Sequence, residues 1–160
     1  MIRLSLFAVL SIWSVSALAK LDDSYTKAEQ TCLALNIYHE ARGEAPSGQM
    51  AVAMVTMNRL ANPKYPKSVC GVVYQTKQFS WTGDKILDVP KDMQAWGSAK
   101  RLAAFVYEKY PQFHRQTRGA IDITRGAVHY YAPKYANPQW AQHKVVTLEI
   151  GAHRFMRAKG

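Results

Sequence analysis

One stretch, MAVAMVTM at residues 50–57, restricts the fold more than any other. It is apolar almost all round at helical spacing, so a helix made from it has no face to offer to water. The rest of the chain must wrap it. Gly43 and Pro46 stand before the stretch, and ANPKYPKS with its two prolines follows, so the predicted helix runs from Ser47 to about Ala61. With 160 residues there is enough chain for one domain with a real core around that helix.

The segment LDDSYTKAEQTCLALNIYHEAR reads as an earlier helix with an Asp/Ser-rich start, stopped at Gly43 and Pro46. A short helix or turn is expected around Val69 to Gln75. A loop, KQFSWTGDK, then carries aromatic and polar groups together. Residues Ala95 to Tyr110 form another helix, with Leu102, Ala103, Phe105, Val106 and Tyr110 on its apolar side. GAVHYYAPKY and KVVTLEIGAHRFMR mix β-formers with turn residues and predict one or two short hairpins. The class is α+β, mainly α.

MIRLSLFAVLSIWSVSALAK has Arg3, then an apolar run, then Ala17-Leu18-Ala19 before Lys20, the layout of a secretory signal peptide. A membrane span needs ~20 predominantly apolar residues. This run is shorter and broken by Ser5, Ser11, Ser14 and Ser16. The expectation is a signal over residues 1–19, a single domain over 20–160, and no stable span after cleavage; a signal that first tethers and later releases the protein stays open. The destination is the periplasm, the envelope or the exterior. There the two cysteines, Cys32 and Cys70, suggest one disulfide, with two buried free thiols as the alternative. No CxxC or HxxxH spacing supports a metal site.

The net charge of +10 attracts nucleic acid, anionic membrane surfaces or acidic wall polymers. Export argues against nucleic acid.

IYHEARGE, residues 37–44, places two carboxylates four apart near the end of the first helix. On an ideal helix at about 100° per residue, Glu40 and Glu44 fall within roughly 20° of Leu33, on the rim of the apolar arc, while His39 and Arg42 point away. A carboxylate beside buried aliphatics loses solvation, its pKa rises, and it can serve as a general acid. A solvated helix end has the same sequence. The HExxH zinc pattern fails because Gly43 stands where its second histidine belongs. His129, in VHYY, is the histidine most suited to lining a cleft.

CLALNIYHEARGEAPSGQMAVAMVTMNRL, YPKSVCGVVYQTKQFSW, DITRGAVHYYAPKYANPQWA and IGAHRFMR, in that order, resemble the SleB/CwlJ-type cell-wall hydrolases. The resemblance spans the chain from about Cys32. It implies a lysozyme-like, lytic-transglycosylase-like domain that cuts the MurNAc–GlcNAc β-1,4 bond of peptidoglycan; no cofactor is expected. It also implies that Glu40, the first Glu of the EARGE block, is the catalytic acid/base. Glu44 has no such mapping and is expected to support it.

Cleaving a glycosidic bond needs a proton on the leaving oxygen and stabilisation of an oxocarbenium-like centre. A lytic transglycosylase manages with one Glu because the muramyl C6 hydroxyl attacks. A water-using muramidase adds a second carboxylate, and Asp84 and Asp88 keep that route open. Phe79, Trp81, Tyr130, Tyr131, Tyr135 and Trp140 lie in turn-rich segments and suit sugar platforms, although core packing would use the same residues. Gln78, Ser80 and His129 could orient the saccharide. An amidase and a catalytically silent wall-binding module are the other classes open to this sequence.

Overall fold

The computed structural model describes residues 10–83, 88–117 and 122–159. The elements in chain order are α1 (Leu10–Ala41), α2 (Pro46–Ala61), α3 (Val69–Val73), α4 (Met93–Thr117), β1 (His129–Tyr131), β2 (Lys144–Ile150) and β3 (His153–Ala158). Short 3-10 turns cover Ser80–Gly83 and Gln139–His143. The three strands form an antiparallel sheet in the order β1-β3-β2.

The all-round apolarity of α2 has a direct cause. Ala53, Met54 and Met57 face one cluster, with Leu33, Ile37 and Tyr38 of α1, Val69 and Val73 of α3, and Ala103, Val106 and Tyr110 of α4. Ala51, Val52 and Val55 face a second cluster, with Ala41, Ala127 and Phe155, flanked by Leu148 and Ile150 of the sheet. α2 is therefore the wall between the helical body and the sheet. Pro46 occupies its first turn, where a missing N–H costs nothing. Thr56, inside the wall, satisfies its hydroxyl by accepting from Asn36 Nδ2 at 3.0 Å.

α1 packs against α2, α3 and α4. Leu33, Ala34, Ile37 and Ala41 are buried, as the projected arc requires. The helix runs unbroken from Leu10, so the Asp/Ser cluster expected to start it lies within it. Residues 1–9 of the expected signal lie outside the described residues. No described helix is long and apolar enough to cross a membrane.

α3 is pinned twice to α1. Cys32 and Cys70 form the disulfide, with Cα atoms 5.2 Å apart. Glu29, buried, accepts from the backbone N–H groups of Val69 and Cys70, which a helix start leaves unpaired. α4 continues past the expected stop at Tyr110 and passes through Pro111, forgoing one backbone hydrogen bond.

A buried polar knot joins α2 to the approach of β1. Asn58 Nδ2 donates to Asp122 Oδ2 at 2.7 Å and to the Ala127 carbonyl at 3.0 Å, and Asn58 Oδ1 accepts from the Tyr110 hydroxyl at 2.6 Å. Asp122 also accepts from the N–H groups of Thr124 and Gly126, closing the turn that leads into the strand.

Candidate active site

Glu40 sits in the last turn of α1, where the helix meets the sheet. The neighbouring residue Tyr130, on β1, packs against both core clusters and so lies on the seam between them. Its hydroxyl donates to Glu40 Oε2 at 3.1 Å. Burial holds the Tyr130 phenol well above its ordinary pKa, so it remains a donor.

Glu40 is under opposing influences. Burial raises its pKa most strongly, while the Tyr130 hydroxyl, the charge of Arg59 and the nearby Trp81 indole favour the carboxylate. The indole N–H is buried and makes no hydrogen bond of ordinary geometry. The result is a carboxyl group whose pKa lies above the usual range beside a built-in means of holding its anion.

Arg59, from the C-terminal end of α2, is only 2% exposed. Its Nε donates to the Val128 carbonyl at 2.8 Å, and the guanidinium lies 5.5 Å from the Phe79 ring centre and 5.7 Å from that of Tyr65. With its amide oxygen turned to the guanidinium, Gln78 accepts from both terminal nitrogens at 3.1 Å.

Glu40, Arg59, Gln78, Phe79, Ser80 and Tyr130 enclose a polar pocket of about 110 Å³. Two larger hollows adjoin it through shared residues. Phe79 and Ser80 also line one of about 470 Å³, together with Tyr74, Lys77 and Gly83. Glu40 itself leads into another of about 430 Å³, bounded by His39, Arg42, Glu44, Tyr135 and His153. Glu40 is thus common to the central pocket and the second hollow, and Phe79 and Ser80 to the central pocket and the first. Tyr135, 77% exposed, lines the second hollow, and the exposed Tyr74 lines the first.

A family model described as Cell Wall Hydrolase matches residues 43–156, which hold most of the residues lining the pocket and its two hollows. The chain belongs to the Cell Wall Hydrolase family. Glu40 lies three residues before the matched span. The spore cortex-lytic enzyme of Halalkalibacterium halodurans is 30% identical over 131 residues, covering 82% of this chain and 35% of the relative. That of Bacillus subtilis is 27% identical over 144 residues, covering 86% of this chain and 40% of the relative. The chain thus spans less than half the length of these curated relatives. Among solved structures, the catalytic domain of Bacillus cereus SleB has a TM-score of 0.61 at 27% identity, covering 81% of this chain and 91% of that one. The catalytic domain of the germination-specific lytic transglycosylase SleB of Bacillus anthracis has a TM-score of 0.59 at 27% identity, with 81% and 93% covered.

Within this cell-wall hydrolase domain the residues singled out from sequence separate into two groups. Glu40, Gln78, Phe79, Ser80 and Tyr130 share the central pocket. Trp81 backs it from the core, 8% exposed, with its ring stacked on His39 at 4.5 Å. Phe79 is likewise core-packed at 6% exposure, so these two rings build the wall of the pocket more than its surface. His129 and Tyr131 flank Tyr130 on the strand and therefore point to its opposite face. There both rings meet Trp140, at 5.5 and 5.8 Å. Burial and the charges of Lys144 and Arg59 push the His129 imidazole down to about 4.

Glu44 lines the neighbouring hollow rather than the central pocket. Its carboxylate accepts from the Ala152 N–H at 3.2 and 3.3 Å and lies 3.8 Å from His153 Nδ1, holding the β2–β3 turn against the end of α1. His39 was expected to point away from Glu40. Instead it lines the same hollow, because its Nε2 donates to the Asp88 carbonyl at 3.3 Å and its ring rests on Trp81. Asp84 lies outside the described residues, and Asp88 lines none of the three hollows.

Arg59 and His153 did not emerge from sequence as site residues. A signal for Arg59 exists: an arginine directly after MAVAMVTMN, on a helix with no face for water, must be buried and must find partners. Among the described residues, no group of three or more His, Cys, Asp or Glu side chains could hold a metal ion.

Proposed function

We propose that this protein is an exported enzyme that cleaves the MurNAc–GlcNAc β-1,4 bond of peptidoglycan as a lytic transglycosylase, with Glu40 as its single acid and base. The observation that carries this reading is the setting of Glu40. It is the one carboxylate lining the central pocket among the described residues, shared with the adjoining hollow and partly desolvated. The Bacillus anthracis relative, named a lytic transglycosylase, supports the same chemistry.

In the first step protonated Glu40 gives its proton to the glycosidic oxygen as the C1–O bond breaks. Glu40, now a carboxylate, then takes the proton from the muramyl C6 hydroxyl while that oxygen bonds to C1. The products are a free 4-hydroxyl on one sugar and a 1,6-anhydro ring on the other, no water is consumed, and Glu40 returns to its acid form. Tyr135 and Tyr74 offer ring faces to sugars in the two adjoining hollows, and Gln78 and Ser80 offer polar groups beside the cleavage point. Glu44, already engaged by the Ala152 N–H, supports the hairpin turn and takes no part in proton transfer. The positive net charge of +10 retains the enzyme on an anionic wall. Cleavage after Ala19 and formation of the disulfide would accompany export.

Mass spectrometry of soluble fragments from digested peptidoglycan tests the proposal. Fragments ending in 1,6-anhydro-MurNAc are expected. Reducing-end MurNAc would instead establish a water-using muramidase, and release of stem peptides alone would establish an amidase.

A further inference from the structure

A single carboxyl group that works twice faces a conflict. It must hold a proton before cleavage and must be stable without one immediately afterwards, in a site where burial penalises the anion. Among the described residues, the groups around Glu40 are few. Tyr130 donates a hydrogen bond to it from β1, Arg59 of α2 lines the same pocket and acts on it by its charge, and the Trp81 indole approaches from the 3-10 turn. His153 from β3 and Tyr135 from the following loop share the outer hollow with it, as do His39, Arg42 and Glu44 of its own segment. Glu44 is held by the Ala152 N–H, the Arg42 guanidinium lies over the Tyr38 ring at 5.1 Å, and burial pulls His153 below its ordinary pKa toward its neutral form.

Arg59 differs from all of these. It is a buried guanidinium that lines the central pocket together with Glu40, and its own geometry is fixed by the Val128 carbonyl, Gln78 and the Phe79 and Tyr65 rings. None of these fixing groups is a carboxylate. A buried arginine ordinarily requires a compensating anion. Among the described residues, the carboxyl group in its pocket is Glu40, which is an anion only in the second half of the proposed cycle.

We infer that Arg59 is a positioning residue for the reaction, acting through Glu40 to stabilise its carboxylate between proton delivery and proton recovery. The inference rests on the transglycosylase reading above. It requires that Arg59 respond to the charge on Glu40, which can be read without turnover.

The test follows the Arg59 Nε–H resonance of the full chain by NMR across pH, in the wild type and in Glu40→Gln. The wild-type resonance is expected to move with the titration of Glu40 and to lose that movement in Glu40→Gln, a near-isosteric change that keeps the fold. In parallel, pH–rate profiles on peptidoglycan compare Arg59→Lys with Arg59→Met. Arg59→Met should lower kcat at least about tenfold and move the alkaline limb to higher pH, since Glu40 keeps its proton longer. Arg59→Lys, which keeps the charge, should return the limb toward the wild-type position. A wild-type Arg59 resonance that ignores the Glu40 titration overturns the inference whether or not Arg59→Met folds. So does an Arg59→Met enzyme whose alkaline limb has not moved. Glu40→Gln that still lyses walls at the wild-type rate overturns the underlying reaction instead, whatever Arg59 does.

Discussion

The Tyr130 hydroxyl donates to Glu40 Oε2 at 3.1 Å, tying the end of the first helix to the first strand across 90 residues of sequence. This contact lets an acid at a helix end sense the sheet. It favours the charged form of Glu40 against the effect of burial.

Removing it has a signed consequence. In Tyr130→Phe the carboxylate loses a donor, the Glu40 pKa rises, and the alkaline limb of the pH–rate profile moves to higher pH. The loss of a hydrogen bond to a charged group, about 1.5–3 kcal/mol, predicts a limb shift on the order of one pH unit or more. A profile that moves to lower pH would contradict this reading of the contact.

Gly151 answers to Glu44. Its φ is +57°, and a Cβ there would lie 1.7 Å from Glu44 Oε2. Gly151→Ala should therefore destabilise the fold by about 2–3 kcal/mol, through backbone strain and loss of the carboxylate's hold on the turn. In the Glu44→Ala background the steric part disappears. A double-mutant cycle by urea unfolding should accordingly show the two changes to be non-additive.

The two pins on α3 act on different states. Replacing Cys32 and Cys70 by serine should cost about 2–4 kcal/mol, much of it by releasing the unfolded chain. Glu29→Gln keeps the disulfide and weakens only the charged cap, at about 1 kcal/mol. Because α3 leads directly into the segment carrying Gln78, Phe79 and Ser80, both variants should raise KM for glycan more than they lower kcat.

The polar knot at Asn58 is expected to be less tolerant. Asn58→Ala leaves the Tyr110 hydroxyl, Asp122 Oδ2 and the Ala127 carbonyl without this partner. A cost of roughly 2–4 kcal/mol follows from several polar groups left with fewer bonds. Differential scanning calorimetry would measure it directly.

His129 gives the fold an acid sensitivity. Its folded-state pKa, near 4, lies below the 6.5 of the unfolded chain. The unfolded state therefore binds more protons, and stability present above about pH 6.5 declines as the pH falls toward 4. His153, shifted in the same direction, contributes with the same sign. His129→Gln should flatten the decline in unfolding free energy between these pH values; an unchanged slope would remove His129 as its source.

Much of the helical body was legible in the sequence because it depends on patterns that the chain carries locally. MAVAMVTM demanded burial on every side, and the structure supplies two cores to bury it. Glu40 could be placed on the rim of an apolar arc from spacing alone. Arg59 was not legible as its neighbour, since the meeting of α2 with the 128–130 segment is a tertiary event. His129, Tyr130 and Tyr131 look alike as a run of rings, but the alternation of a strand sends the middle one to Glu40 and the outer two to Trp140. Helix ends were less certain still. Ideal geometry turned His39 away from Glu40, whereas contacts with Trp81 and the Asp88 backbone decide its direction.

The position of α2 between two cores also limits how this sequence can diverge. A helix at a surface can exchange half its residues freely and keep its buried stripe. Along Ala51–Met57 no such free half exists, because a larger side chain on one side pushes the helix toward the other core. Accepted changes there should come as volume-neutral exchanges, or as paired changes in which a residue on α1 or α4 shrinks while one facing the sheet grows. Variation among homologous chains should therefore gather on the outer faces of α1 and α4, and leave these buried turns, about two in all, nearly constant in total volume even where their letters differ.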